Sequence, residues 1–137
     1  MARHTVEIPV RWSESDPAGI AFYPRFFEWY DVACAALFES IGLPWTELFP
    51  RHAIVGVPIL QCGSNFVSPV RYGDVVRITS TIAWVKTKTF RVEHEVHVGE
   101  RHCASGFEVR AWVARPQRAG DPLHATAIPQ DVVRRLV

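Results

Sequence analysis

From Pro24 onward, Phe26, Phe27, Tyr30, Ala33, Cys34, Leu37, Phe38 and Ile41 recur at three- and four-residue spacing, which predicts a helix with one wide apolar face. Arg25, Glu28, Asp31, Glu39 and Ser40 fall mostly off that face. Pro24 suits a first helical turn, where its missing donor would have no partner anyway, and Gly42 followed by Leu43-Pro44 supplies a stop. A face this broad needs cover from more than one side. It implies a helix wrapped by a sheet, and the rest of the chain has to provide that sheet.

The strand signals are there. Val6 to Trp12 reads as a first strand near a sheet edge, since Pro9 removes one ladder donor. After a connection from Trp45 to Val57 without a clear pattern, strands are predicted at Pro58 to Arg71, Val75 to Val85, Phe90 to Val98 and His102 to Ala114. The breaks at Tyr72-Gly73-Asp74, Lys86-Thr87-Lys88 and Gly99-Glu100-Arg101 are hairpin-sized, so sequential antiparallel pairing follows. In the last two strands Phe90, Val92, Val96 and Val98 share one face, as do Cys103, Ser105, Phe107, Val109, Ala111 and Val113. Arg91, Glu93, Glu95, Glu108 and Arg110 are placed on the other. With 137 residues, 48% of them hydrophobic, the chain has material for one core. The expectation is an α+β fold in a single domain over residues 1–137, closed by a short amphipathic tail from Pro129 to Val137.

A formal net charge of +1, with acidic and basic residues interspersed, gives no global basic field of the kind that drives nucleic-acid binding. The three cysteines Cys34, Cys62 and Cys103 are far apart and form no Cys-x-x-Cys pair, against a disulfide framework or zinc ribbon. No membrane association is expected. With the charged residues that interrupt every apolar run, this points to a cytoplasmic protein.

The segment Asp16-Pro17-Ala18-Gly19-Ile20, followed by Tyr23-Pro24 at the helix start, sets a carboxylate beside exposed backbone donors. The first turn of a helix has N–H groups without intrahelical partners and the positive end of the dipole, so it can polarise a carbonyl oxygen. Gly19 permits the close approach and unusual dihedrals such a loop needs. The same residues also read as an ordinary turn before proline, with Tyr23 a core aromatic.

Asp16-Pro-Ala-Gly-Ile20, Tyr23-Pro24, and then Trp29 and Asp31 on the helix resemble the hotdog-fold acyl-CoA thioesterases of the 4-hydroxybenzoyl-CoA thioesterase branch. Gly42-Leu43-Pro44, Ile54-Val55-Gly56, Pro58-Ile59, Phe66-Val67 and the Tyr72/Asp74 hairpin are similar to the same branch in the same order, so the resemblance reaches to about Val98. It implies a hotdog fold, with the sheet curled around the long helix, and a homodimer or dimer-of-dimers tetramer with sites at the subunit interface. It further implies an acyl-CoA substrate with an aromatic acyl group, and hydrolysis without metal or bound cofactor. Asp16 would be the nucleophile or general base, and the Tyr23 backbone N–H the activator of the carbonyl. Gly19 would shape the loop against the substrate, and Lys86 and Lys88 would meet the nucleotide phosphates of coenzyme A. A ring hydroxyl would be met by Asp31 and by a residue just before Pro58-Ile59. That residue is Val57, which has no hydroxyl, so a relaxed demand for a para-hydroxyl is expected. Phe22, Phe26, Trp29 and Phe66 are the expected apolar lining.

Other candidates carry less. His94 and His97 point to opposite faces of a strand and cannot share a metal ion, one facing the core and one the surface. Cys34 falls on the helix stripe, where a free cysteine packs as a small hydrophobe. There is no Gly-x-Ser-x-Gly elbow for a serine hydrolase, and no histidine between Trp12 and Ile41 for a hydratase of this fold. The rivals are a thioesterase for aliphatic acyl-CoA or acyl-carrier-protein esters and a non-catalytic acyl-CoA binding module.

Overall fold

A computed structural model describes residues 1–137. Its first strand, β1 (Arg3–Pro9), lies at the edge of a five-stranded antiparallel sheet with β3 (Ile59–Phe66), β4 (Val75–Val85), β5 (Thr89–Val98) and β6 (Arg101–Ala111), in the order β1-β4-β5-β6-β3. The long helix α1 (Pro24–Ser40) packs along the inner face of this sheet. Near its start, Phe26, Trp29, Tyr30 and Ala33 meet Val76, Ile78, Val96 and Ala104. Near its end, Cys34, Leu37 and Phe38 meet Ile82, Phe90, Val92 and Trp112. The predicted stripe is thus the buried one. This is the α+β hotdog architecture. No single helix is long and apolar enough to cross a membrane.

The structure departs from the sequence reading in four places. β1 stops at Pro9, and Trp12–Glu14 form a 3-10 turn that leaves Trp12 exposed. The patternless connection contains a short helix α2 (Trp45–Arg51) and a strand β2 (Ile54–Gly56), which joins β7 (Val113–Ala114) and β8 (His124–Ala125) in a second small sheet. β3 ends at Phe66, five residues early, and pairs with β6 rather than with β4, so the Tyr72-Gly73-Asp74 break is a turn and not the hairpin expected; the tail forms α3 (Gln130–Leu136). Most consequential is β6. Glu108 and Arg110, placed on the solvent side by apolar alternation, are buried, while Ser105, Phe107 and Val109 are only half-buried. Burying two charges is tolerable only because each finds partners inside.

Two features of the sheet position the site. Gly106 leaves room for the buried Tyr30 ring, because a Cβ there would sit 2.7 Å from the Tyr30 hydroxyl. Tyr30 stacks on His94 with ring centroids 4.7 Å apart and bonds Ser64 at 2.7 Å, tying α1 to β5 and β3. The second feature is separation. Val10 N–H donates to the Asp74 carbonyl at 2.9 Å, so the Asp16 loop lies where the eleven-residue β4 begins, whereas Lys86 and Lys88 follow its other end. That is roughly 35 Å along the strand.

Candidate active site

The Asp16 loop is fixed by its neighbour Glu14. This carboxylate is 3% exposed. Its Oε1 accepts from Arg11 N–H at 2.7 Å and its Oε2 from the Trp29 indole N–H at 2.8 Å, while its carbonyl accepts from Phe22 N–H at 2.8 Å. Burial pushes the Glu14 pKa up, but the Arg11 and Trp29 hydrogen bonds and the Arg11 charge outweigh it and hold the carboxyl below its usual range. Glu14 therefore bonds the two ends of the loop to each other and to α1.

Within that frame the chain doubles back tightly. Asp16 N–H donates to the Ile20 carbonyl at 2.8 Å, and Gly19 N–H to the Asp16 carbonyl at 2.9 Å. Gly19 has φ of +79°, a left-handed conformation that other residues adopt with strain. Ala18 N–H donates to Asp16 Oδ1 at 2.8 Å, which orients the half-buried carboxylate and leaves Oδ2 without a partner in the chain. Asp16 and Gly19 line a cleft of about 580 Å³ with Trp12, Ser15, Arg71 and Tyr72.

Across the loop lies an apolar cavity of about 310 Å³, lined by Ile20, Tyr23, Phe26, Phe66 and Val67. Tyr23 is the residue before α1, and Pro24 follows it without a donor. The Tyr23 N–H donates to no group of the chain. A carboxylate with a free oxygen and a free N–H at a helix start can attack or activate at a carbonyl carbon and stabilise the resulting oxyanion. Of the expected lining, Phe26 and Phe66 border the cavity and Phe22 is exposed nearby. Trp29 does not border it. It is 2% exposed and turned to Glu14, which places it behind the loop.

Asp31 and Val57 converge on a residue that sequence reasoning assigned to the surface. Arg110, 3% exposed, donates from Nη2 to Asp31 Oδ1 and to Glu108 Oε2, both at 2.7 Å, and from Nη1 to the Val57 carbonyl at 2.9 Å. The Val57 side chain is packed in the core, and its carbonyl is the group that Arg110 engages. Behind Arg110, Glu108 Oε1 accepts from His94 Nε2 at 2.9 Å, and His94 Nδ1 meets Ser80 Oγ at 2.7 Å. Burial would raise the Glu108 pKa, but the His94 hydrogen bond and the Arg110 charge bring it below the usual carboxylate range. Burial likewise opposes the Arg110 charge and is outweighed by the Glu108 charge and the hydrogen bonds to Asp31 and Glu108, so its pKa is raised. Burial pushes the Cys34 thiol up as well, leaving it an inert core residue. Ser80, His94 and Glu108 have the donor order of a nucleophilic triad, yet all three are buried beneath α1, where no ester could reach Ser80.

Lys86 and Lys88 sit exposed in the β4–β5 hairpin, with Lys86 Nζ 4.4 Å from the centroid of the Trp84 ring. Within one chain they do not join Asp16. Glu14, Glu108 and Arg110 were missed because the sequence gives each an innocuous setting. Glu14 stands among turn residues, and the other two sit in a strand whose alternation could be read in either phase.

This fold carries a loop carboxylate and, seven residues on, a free N–H at a helix start, the groups that a thioester hydrolase uses. The chain belongs to the thioesterase-like superfamily, whose pattern matches residues 10–136. It is 36% identical over 98 residues to the 4-hydroxybenzoyl-CoA thioesterase of Pseudomonas sp. (strain CBS-3), covering 70% of each chain. The structure of that enzyme superposes with a TM-score of 0.88 at 29% identity, over 98% of this chain and 99% of the other. A gentisyl-coenzyme A thioesterase superposes with a TM-score of 0.84 at 31% identity, over 98% and 100%. The 1,4-dihydroxy-2-naphthoyl-CoA hydrolase of Synechococcus sp. (strain RCC307) is 27% identical over 117 residues, 83% of this chain and 89% of that one.

Proposed function

We propose that this chain hydrolyses an aromatic acyl-CoA to the free acid and coenzyme A, with Asp16 as nucleophile or general base and no metal or bound cofactor. The observation that carries this reading is that one short stretch of chain bears both a free Asp16 Oδ2 and an unpartnered Tyr23 N–H, next to an apolar cavity that Tyr23 lines. The thioester carbonyl oxygen accepts from Tyr23 N–H. Asp16 then either attacks the carbonyl carbon, expelling the coenzyme A thiolate and leaving a mixed anhydride for water to cleave, or deprotonates a water that attacks directly. The aromatic assignment is supported by the relatives, which by name act on 4-hydroxybenzoyl, gentisyl and dihydroxynaphthoyl thioesters.

The working unit in this reading is a homodimer, alone or doubled into a tetramer. β3 has a free edge, and Leu60 and Phe66 along it are exposed. Two-fold antiparallel pairing of β3 edges brings the far end of one protomer's sheet towards the Asp16 end of its partner. This is the arrangement in which Lys86 and Lys88 could meet the coenzyme A phosphates.

The test is thiol release from benzoyl, 4-hydroxybenzoyl, phenylacetyl and straight-chain CoA esters by wild type and Asp16→Asn. Aromatic esters should be preferred, and the variant should lose about two orders of magnitude in kcat or more with its fold intact. Near-normal kcat in Asp16→Asn would remove Asp16 from the chemistry. A preference for long aliphatic esters would overturn the acyl assignment.

A further inference from the structure

We propose that Arg110 is a positioning residue that holds the Asp31 carboxylate in place to accept a hydrogen bond from a hydroxyl on the acyl ring. The inference rests on the aromatic reading above and explains how specificity within that class would be set. Asp31 is 56% exposed on α1, and an exposed carboxylate on a helix ordinarily samples several rotamers. Here it does not swing free. Arg110 Nη2 reaches Oδ1 at 2.7 Å, leaving Oδ2 with no partner in the chain.

Arg110 is itself immobile. Glu108 and the Val57 carbonyl hold its two terminal nitrogens, its guanidinium carbon lies 5.3 Å from the Trp45 ring centroid, and Glu108 is braced by His94 and Ser80. The result is a rigid chain of contacts running from β4 through the sheet to one solvent-facing oxygen. An ionised carboxylate can only accept, so that oxygen selects for a donor, and a phenolic hydroxyl is one. Asp31 lies eight residues after Tyr23, about 12 Å along the helix axis. A benzoyl ring hydrogen-bonded at both ends spans such a distance. Both positions expected to read the ring hydroxyl, Asp31 and Val57, are therefore organised by one guanidinium, and the missing hydroxyl at Val57 leaves Asp31 as the acceptor.

The experiment measures kcat/KM for 4-hydroxybenzoyl-CoA and benzoyl-CoA and takes their ratio, which a uniform loss of folded protein does not move. Wild type should favour the hydroxylated ester by about 10- to 100-fold, the discrimination expected of one hydrogen bond to a charged group. Asp31→Asn, a change at an exposed position, should bring the ratio within about threefold of unity. Arg110→Met should do the same, and Arg110→Lys should restore part of the preference. Because Arg110→Met strands the buried Glu108 charge, it is paired with the Arg110→Met/Glu108→Gln double variant, which leaves the buried site neutral. Glu108→Gln alone should lower thermal stability and keep the ratio, since Arg110 still reaches Asp31. A wild-type ratio near unity, or a ratio unchanged in Asp31→Asn or in the folded Arg110 variants, overturns the inference and leaves the aromatic assignment standing. Failure to hydrolyse either ester overturns the aromatic assignment itself.

Discussion

Replacing Glu14 by Gln tests whether the Asp16 loop is held from behind. The side chains are nearly isosteric, so no cavity opens, but the acceptor count changes. Two N–H donors, from Arg11 and Trp29, each occupy one carboxylate oxygen at 2.7 and 2.8 Å. A glutamine offers one oxygen and one NH2, so one of these donors must face another donor. Losing a hydrogen bond to a charged group costs about 1.5–3 kcal/mol. The ion pair with the mostly exposed Arg11 adds at most about 1 kcal/mol.

A loss of about 2–3 kcal/mol is expected, which for a domain of this size corresponds to a fall of roughly 6–12 °C in Tm. Because Glu14 fixes the chain on both sides of Asp16, kcat should fall about 10- to 100-fold, the scale of a misplacement near 1 Å. The pH dependence gives an independent check. The folded pKa of Glu14 lies below its ordinary value of 4.5, so its stabilisation is full above that value and is lost as pH falls through the folded pKa. The Tm gap between wild type and Glu14→Gln should therefore be widest near neutrality and narrow as the pH falls below 4.5 and through the folded pKa. Thermal melts by circular dichroism from pH 3 to 8, with thiol-release kinetics at pH 7, measure all three quantities. Unchanged Tm and kcat in Glu14→Gln at pH 7 would refute the latch.

Three further outcomes are expected. Changing Lys86 and Lys88 together to Ala should raise KM for acyl-CoA and leave a pantetheine thioester nearly unaffected, whereas equal losses on both would assign the hairpin a structural role. Gly106→Ala should destabilise the fold by about 1–2 kcal/mol in urea melts, because overlap with the pinned Tyr30 ring exceeds the gain from a stiffer unfolded chain. Light scattering should give at least a dimer, and Leu60→Lys on the β3 edge should shift the population towards monomer with loss of kcat.

What the sequence disclosed and withheld follows from how each part is stabilised. The stripe on α1 was legible because Ala33, Cys34, Leu37 and Phe38 are buried by the hydrophobic effect alone, which leaves a periodic mark. The hairpins at Lys86 to Lys88 and Gly99 to Arg101 were legible because turn chemistry is local, whereas the turn at Tyr72 to Asp74 joins β3 and β4, which do not pair, because β3 finds its partner in the distant β6. α2 was not, since it has seven residues, Pro50 inside and no capping side chain, and is held by packing of Leu48 and Phe49. The face of β6 was misread because polarity there does not mark exposure. Glu108 and Arg110 are inside by virtue of His94, Asp31 and a carbonyl that come from elsewhere in the chain. At the Asp16 loop the residue types and the helix start could be read, but the closure onto Trp29, thirteen residues on, could not.

That misreading bears on how the fold divides its labour. The Asp16 end of the molecule is built from local signals: a turn, a left-handed glycine and a helix start, all within ten residues of chain. The Asp31 end is built from long-range pairs, with Arg110 reaching back across 79 residues to Asp31 and 53 to Val57. Local geometry suffices for the chemistry proposed at the Asp16 loop, because polarising a carbonyl and presenting a carboxylate need only one loop and one N–H. Discriminating among acyl groups needs a fixed acceptor at a set distance from that N–H, and an exposed side chain on a helix is fixed only by a rigid group behind it. The desolvation cost of burying Arg110 and Glu108, typically several kcal/mol per ion before pairing, is difficult to explain as a source of stability when well-packed apolar residues would serve as well. It is explained if the pair exists to hold Asp31. A Glu108→Leu/Arg110→Met chain as stable as wild type, but indifferent to a ring hydroxyl, would be the direct signature of that division.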